Sequence, residues 1–288
     1  MFQFSYHWFG NRKGALFASL GYLLFLEQLT WSFYILTEAI YAPVLCFVFY
    51  GLWRLDKGIS SSWYFKTLLF IALVFAFFIK PTGLALLIAL GIAVFFRFRI
   101  WFSSYYHNLL TVWGSFIVLL LLANQMLSSF ILVENFALGE IVYGVTTLPQ
   151  LSSGPYLIVI PPKNLYIPDK LESPLWRLFT FIIFNPWFMC KLFWGKVFYF
   201  VSHFRPYWSL IHNLFIVLTL YPTYYFFIKG LSFKEVLIHQ RAFILSFVVA
   251  HILFIGLTSV DWDGRFLAPL YPLIFLIGGQ GFAQIFKK

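Results

Sequence analysis

The sequence predicts an all-α fold, a polytopic transmembrane helix bundle of about eight spans with one large extracytoplasmic loop carrying interfacial helices. Three observations predict it. The chain is 61% hydrophobic and only 10% charged, whereas ordinary soluble domains are about 45–50% apolar and about 25% charged. Its apolar residues lie in long unbroken runs, not in the alternation that a membrane β-barrel needs. The short polar breaks between the runs differ in charge, in a way that sorts them to two sides of a membrane. Together these exclude a water-soluble enzyme, a disordered chain and a disulfide scaffold. Cys46 and Cys190 are far apart in apolar surroundings and read as two buried thiols, with neither a disulfide framework nor a zinc spacing. The first ten residues, MFQFSYHWFG, carry no signal-peptide pattern.

A span needs roughly 20 mainly apolar residues. Residues 1–288 form a single transmembrane domain with five expected spans before the loop, over 14–35, 38–53, 66–80, 83–97 and 108–131. Three more follow it, over 208–228, 241–259 and 266–286. The breaks between them are Thr37-Glu38, RLDKG (54–58), KPTG (80–83), RFR (97–99), Lys229–Arg241 and DWDGR (261–265). One side collects Arg12, Lys13, Arg54, Lys57, Lys66, Arg97, Arg99, Lys229, Lys234, Arg241, Lys287 and Lys288, against only Asp56 and Glu235. The other side has Lys80, Arg265 and the six basic residues of 132–207, against Glu38, Glu134, Glu140, Asp169, Glu172, Asp261 and Asp263. The first side is therefore expected to be cytoplasmic and to hold both termini. The net charge of +10 reads as topology, with no nucleic-acid partner implied.

The 132–207 segment is the only large piece outside the spans. Its first half reads as ordered loop, with five prolines from Pro155 to Pro174 among apolar residues. Its second half is intensely aromatic with spaced Arg and Lys, which predicts helices lying in the interface. Residues 176–200 resemble a ninth span in composition, but Asn185-Pro186, Lys191 and Lys196 argue against one. No internal repeat of the kind that builds inverted-repeat transporters is present.

Charges at membrane depth are expensive and usually functional, so the outer breaks hold the candidate site residues. Thr37 suits an N-cap, which puts Glu38 in a first helical turn where the helix dipole favours an acid. Glu38 is either a capping device or an acid facing an outer cavity. Lys80 precedes Pro81, which limits helix at 80 and starts the next helix well. Its ammonium either snorkels to the interface or meets a lipid phosphate. DWDGR joins two spans and must turn tightly, for which Gly264 is suited. Asp261, Asp263 and Arg265 there either pair with one another or serve a ligand. Arg265 opens the last span, where it opposes the helix dipole unless an anion lies near, and a bidentate phosphate contact would supply one. No metal is assigned, because two carboxylates without a third ligand are a weak metal signal, and no cofactor is implied. Glu27 and Gln28 within the first span, and His251 within the seventh, read as interior hydrogen-bonded groups. His203, Arg205, His212 and Asn213 flank the return into the membrane as candidate cavity-lining or headgroup-contacting residues. There is no P-loop, nucleophile elbow, HExxH or dinucleotide fingerprint.

The stretch WFGNRKGALFASLGYLLFLEQLTWSFYILTEAIYAPVLCFVFYGLWRL resembles the middle helices of the GT-C superfamily of integral-membrane glycosyltransferases, among them protein O-mannosyltransferases and lipid A aminoarabinose transferase-like enzymes. Thr37-Glu38 is similar to the family's Ser/Thr-Glu step. FIKPTGLALLIAL resembles its Arg/Lys-Pro-Thr-Gly helix start, with Lys80 as the basic position. DWDGRFLAPLYPLIFLIGG resembles its terminal helix, with Arg265, Pro269 and Pro272 in place. The resemblance implies transfer of a sugar from a polyprenyl- or dolichyl-phosphate donor to an acceptor on the outer face, in the plasma (inner) membrane. It implies Lys80, Arg265 and Arg205 as substrate-binding candidates, and Glu38, Asp261 and Asp263 as candidates for the carboxylate that deprotonates the acceptor. The family's first spans and their acidic outer loop have no counterpart in these residues, so the expectation is part of a longer enzyme or a degenerate relative. The other classes the same charges admit are a transporter or flippase for lipid-linked saccharides and a noncatalytic membrane scaffold.

Overall fold

The structure, a computed structural model, describes all residues except 28–29, 31–36, 60–61, 99–104, 129–130, 147–154 and 286–288. Among the described residues the protein is all-helical, 76% helix without strands. Helices α1 (Phe2–Phe9), α2 (Arg12–Leu24), α3 (Thr37–Asp56), α4 (Trp63–Ile79), α5 (Gly83–Phe98) and α6 (Tyr105–Leu127) form the first part. The short α7 (Leu132–Ala137) leads through irregular chain to α8 (Pro174–Phe184) and α9 (Pro186–Ser202). Then come α10 (Leu210–Leu231), α11 (Ile238–Gly256), a 3₁₀ turn over Arg265–Leu270 and α12 (Tyr271–Ile285).

Among the described residues, four helical segments are long and apolar enough to cross a membrane: α3, α10, α11 and Arg265–Ile285, the last comprising the 3₁₀ turn and α12. A fifth is reached if α8 and α9, bent by 109°, count as one broken span. This is fewer than the eight expected. The helix expected over 14–35 is interrupted at Phe25, which is extended (φ −70°, ψ 108°), and resumes at Leu26; 28–29 and 31–35, Gln28 among them, lie outside the described residues. Helices α4 and α5 have 17 and 16 residues, so α4 reaches about 25 Å against a hydrocarbon core of about 30 Å. Helix α6 has 23 residues, and Phe116–Gln125 is an apolar stretch within it.

The centre of the bundle is α12. The segment containing it is 89% buried and is flanked by α2 and α10. Glycines make this possible: a Cβ at Gly279 would lie 2.5 Å from the Ala18 backbone nitrogen, and one at Gly278 would lie 3.1 Å from Thr223 O. Alongside, α11 packs on α5 and on α9, and α3 on α4. The turn between α8 and α9 is set by Asn185. Its amide donates to Tyr166 O (2.9 Å) and Phe181 O (3.0 Å) and accepts from Tyr166 N (3.0 Å), while Pro186 opens α9. The chain therefore turns at the Asn185-Pro186 step, which argues against a ninth span in the sequence, although the two helices together are long and apolar enough for a broken one.

The loop after α7 is pinned to the segment that carries DWDGR. Tyr143 N donates to Val260 O (2.8 Å), and the buried Glu140 accepts from Gly144 N (3.1 Å), Thr146 N (3.0 Å) and the Thr146 hydroxyl. Cys46 and Cys190 are free thiols, and Cys190 is exposed. The expectation of two buried thiols fails at Cys190 and is met only in part at Cys46, which is half-buried.

Candidate functional site

Three chain segments meet at one end of the bundle. The first turn of α3 brings Glu38. The α4–α5 connection brings Lys80, which is extended (φ −145°, ψ 146°), as a residue before proline tends to be. The 257–270 segment brings Asp261, Asp263 and Arg265. Gly264 turns that segment at φ +83°, in the left-handed region that glycine enters without strain.

Lys80 closes on Glu38 as a buried ion pair, and the Thr37 hydroxyl donates to the other carboxylate oxygen (3.1 Å). Arg265 Nε lies 3.5 Å from Asp263 Oδ1 and 3.9 Å from Glu38 Oε1. The ring of Phe266 sits beneath both cations, 5.5 Å from Lys80 Nζ and 5.8 Å from the Arg265 guanidinium carbon. The two aspartates cap the helical segment they precede: Asp261 Oδ2 accepts from Phe266 N (3.3 Å) and Asp263 Oδ1 from Arg265 N (3.4 Å). Acids at this end oppose the positive pole of the helix dipole. Burial, reinforced by the neighbouring Asp261 carboxylate, pushes the Asp263 carboxyl up to about 7. A proton held between the two groups relieves the repulsion of like charges.

A cavity of about 370 Å³ opens onto this cluster. Lys80, Asp261 and Arg265 line it, with Asn135 and Tyr143 from the loop side and Trp262 and Phe266 as aromatic walls. The two cations differ in what they can do there. Lys80 is committed to Glu38, whereas Arg265 has only longer contacts and keeps 31% of its side chain exposed. An anion entering the cavity finds its donor in Arg265.

Of the six candidate residues, Glu38, Lys80, Asp261, Asp263 and Arg265 thus come together. Arg205 does not join them on the cavity wall. It is 0% exposed, and its guanidinium donates to the carbonyls of Tyr199, Phe204 (3.1 Å) and Asp261 (3.0 Å). Arg205 is thus a brace behind the turn, with no surface for substrate. Asn213 supports it in turn, accepting from Arg205 N (3.1 Å) and donating to Arg205 O (2.8 Å).

His203 and His212 meet Glu27 instead of the cavity. Glu27 is buried, 3.5 Å from His203 Nε2 and in contact with His212 Nε2, and Tyr271 OH approaches His203 Nε2 at 3.4 Å. Burial drives the His203 pKa below its ordinary value. His251 is buried and meets Phe266 O at 3.1 Å, the interior role expected of it. Glu27 was expected to bond inside the bundle, but its partners, 176 and 185 residues away, have no local spacing to announce them.

No protein-family model, no curated protein and no solved structure matches this chain.

Proposed function

We propose that this chain is a GT-C-type membrane glycosyltransferase, alone or within a longer polypeptide, moving a sugar from a polyprenyl- or dolichyl-phosphate donor to an acceptor hydroxyl. The observation that carries the reading is the cavity lined by Arg265 and Asp261, with Asp263 behind them against Arg265, at one end of an apolar bundle. Arg265 receives the donor phosphate and stabilises the negative charge it gathers as the sugar departs. The Asp261–Asp263 pair takes the proton of the acceptor hydroxyl. The acceptor oxygen forms its bond to the anomeric carbon as the bond from that carbon to the phosphate oxygen breaks, and the lipid phosphate leaves with the electron pair. Phe266 and Trp262 supply apolar faces for a sugar ring. Lys80 holds Glu38 in place and keeps the rim of the cavity rigid.

In this reading the bundle has about eight spans, with α4, α5 and α6 crossing as short or tilted helices. Helices α8 and α9 lie at the outer interface with their aromatic rings at headgroup depth. The cavity faces the extracytoplasmic side of the plasma membrane, and the donor's lipid tail runs between spans. The test is a transfer assay with a polyprenyl-phosphate sugar on the chain in membranes. Arg265→Ala is expected to lower turnover about 10²–10³-fold. Full transfer by this variant, with the protein folded, sinks the assignment.

One observation favours a second reading, a transporter or flippase for lipid-linked saccharides. Helix α3 ends on Asp56, which meets Arg97 Nε at 3.3 Å and His239 Nε2 at 2.8 Å. It thus has a paired acid at each end, as two alternating gates would. Flux of labelled lipid-linked sugar across vesicles without glycosyl transfer would favour this reading.

A further inference from the structure

Beyond the cavity at Glu38, and independently of the glycosyl-transfer reading, we propose a second ligand site at the other end of α3. It binds an anionic phospholipid, with an acyl chain in an aromatic cavity and the headgroup phosphate on Arg97. Glu38 and Asp56 lie 18 residues apart in one helix, roughly 27 Å, so this site sits at the opposite membrane interface. A cavity of about 160 Å³ lies there between α1, α3, α5 and α11.

Its walls follow one pattern twice. On α3, Phe49, Leu52, Trp53 and Asp56 line it, and on α5, Leu90, Ala93, Val94 and Arg97 do so. Each set has the spacing of one helix face. Each runs from apolar side chains to a charge at the helix end, the α3 set through buried Phe49 and Trp53 and the α5 set along a partly exposed face. The site is therefore shaped as a lipid is, with an apolar channel below a polar rim. Val94 and Arg97 are both about half exposed, so the mouth opens at the surface of α5.

The rim selects the sign of the headgroup. The carboxylate of Asp56 accepts from Gln240 Nε2 (2.6 Å) and lies against Arg97 and His239. With those partners it has little left to offer a cationic headgroup. Arg97 touches Asp56 through Nε and keeps half of its side chain exposed. Guanidinium forks bind phosphate well. Arg54, Lys57 and Arg241 stand at the same ends of α3 and α11, and basic residues at an interface attract anionic lipids.

The test uses the full chain purified in detergent. It is loaded with phosphatidylglycerol or phosphatidylcholine of identical chains, and retained lipid is counted by native mass spectrometry. Phosphatidylglycerol is expected to be retained about tenfold better. Arg97→Gln should bring the two lipids near parity, and Ala93→Phe, which fills the channel, should lower retention of both. Glycerol phosphate, the headgroup without chains, should fail to displace phosphatidylglycerol. Equal retention of the two lipids by the unaltered protein overturns the proposal, as does displacement by glycerol phosphate, which would indicate a simple phosphate site. Should Ala93→Phe not fold, Arg97→Gln at its half-exposed position decides: unchanged preference for phosphatidylglycerol overturns the proposal.

Discussion

Lys80 closes on Glu38 across 42 residues of sequence, and both side chains are buried. Breaking such a pair by removing one partner leaves the other charge stranded, at a cost of about 3–5 kcal/mol. Lys80→Ala and Glu38→Ala should each lower the thermal unfolding midpoint markedly. The double change Lys80→Met with Glu38→Gln should recover most of the loss, because an apolar and a neutral side chain of similar size replace the pair. Unfolding in detergent reads all three. Two single variants as stable as the unaltered protein would mean that the pair contributes nothing.

Asp263 carries a pH dependence whose sign follows from its environment. Its carboxyl is raised from 3.8 to about 7 by burial and by Asp261. Between about pH 4 and pH 7 the folded protein keeps a proton that the unfolded chain has released. Stability therefore falls as the pH rises through that window. Asp263→Asn removes the ionisation and should flatten this part of the stability profile. Unfolding midpoints measured from pH 4.5 to 8 check it, and an unchanged slope in the variant would locate the titration elsewhere.

Local turn chemistry was legible in the sequence. Pro81 placed Lys80 in extended chain and Gly264 marked the turn after Asp263, while Asn185-Pro186 spoke against an unbroken span and the structure makes it the corner between α8 and α9. The gathering of Glu38, Lys80 and the DWDGR charges was also legible, because alternate breaks between successive helices return to the same end of a bundle, and these breaks carry acids beside their basic residues. What was not legible depends on packing between distant segments. Nothing in the composition around Phe25 signals a break in the helix there. Its extended backbone accompanies ring contacts to Tyr271 and Phe275 at 4.9 and 5.4 Å, made by residues some 250 positions later. Arg205 was equally ambiguous. A basic residue beside aromatics is written alike whether it faces a headgroup or turns inward to three carbonyls.

Gly264 has φ +83°, and a Cβ there would collide with the His203 ring and lie 3.1 Å from Trp208. Gly264→Ala combines left-handed strain of about 1–2 kcal/mol with that collision. It should destabilise the protein and displace the Asp261–Arg265 turn. The additional change His203→Ala removes the obstructing ring but also takes a partner from Glu27, so, measured against His203→Ala alone, Gly264→Ala should show only the backbone part of its cost. No cost against that background would mean that backbone strain at 264 is negligible.

Arg205 separates support of the site from contact with substrate. Its guanidinium holds the Asp261 carbonyl (3.0 Å) together with those of Tyr199 and Phe204, so it fixes where the Asp261 carboxylate points without lining the cavity. Each carbonyl left without its donor costs about 1–3 kcal/mol. Arg205→Ala should therefore lower the unfolding midpoint and, in the transfer assay, reduce kcat more than it raises KM for the donor. Arg205→Lys keeps the charge but not the fork that reaches three acceptors, and should be intermediate in both measurements. Arg265→Ala gives the contrast, since its side chain is partly exposed and its neighbours keep other partners: near-normal stability with transfer lost. Should Arg205→Ala instead leave stability unchanged and raise KM alone, Arg205 touches the donor directly and the cavity wall extends to it.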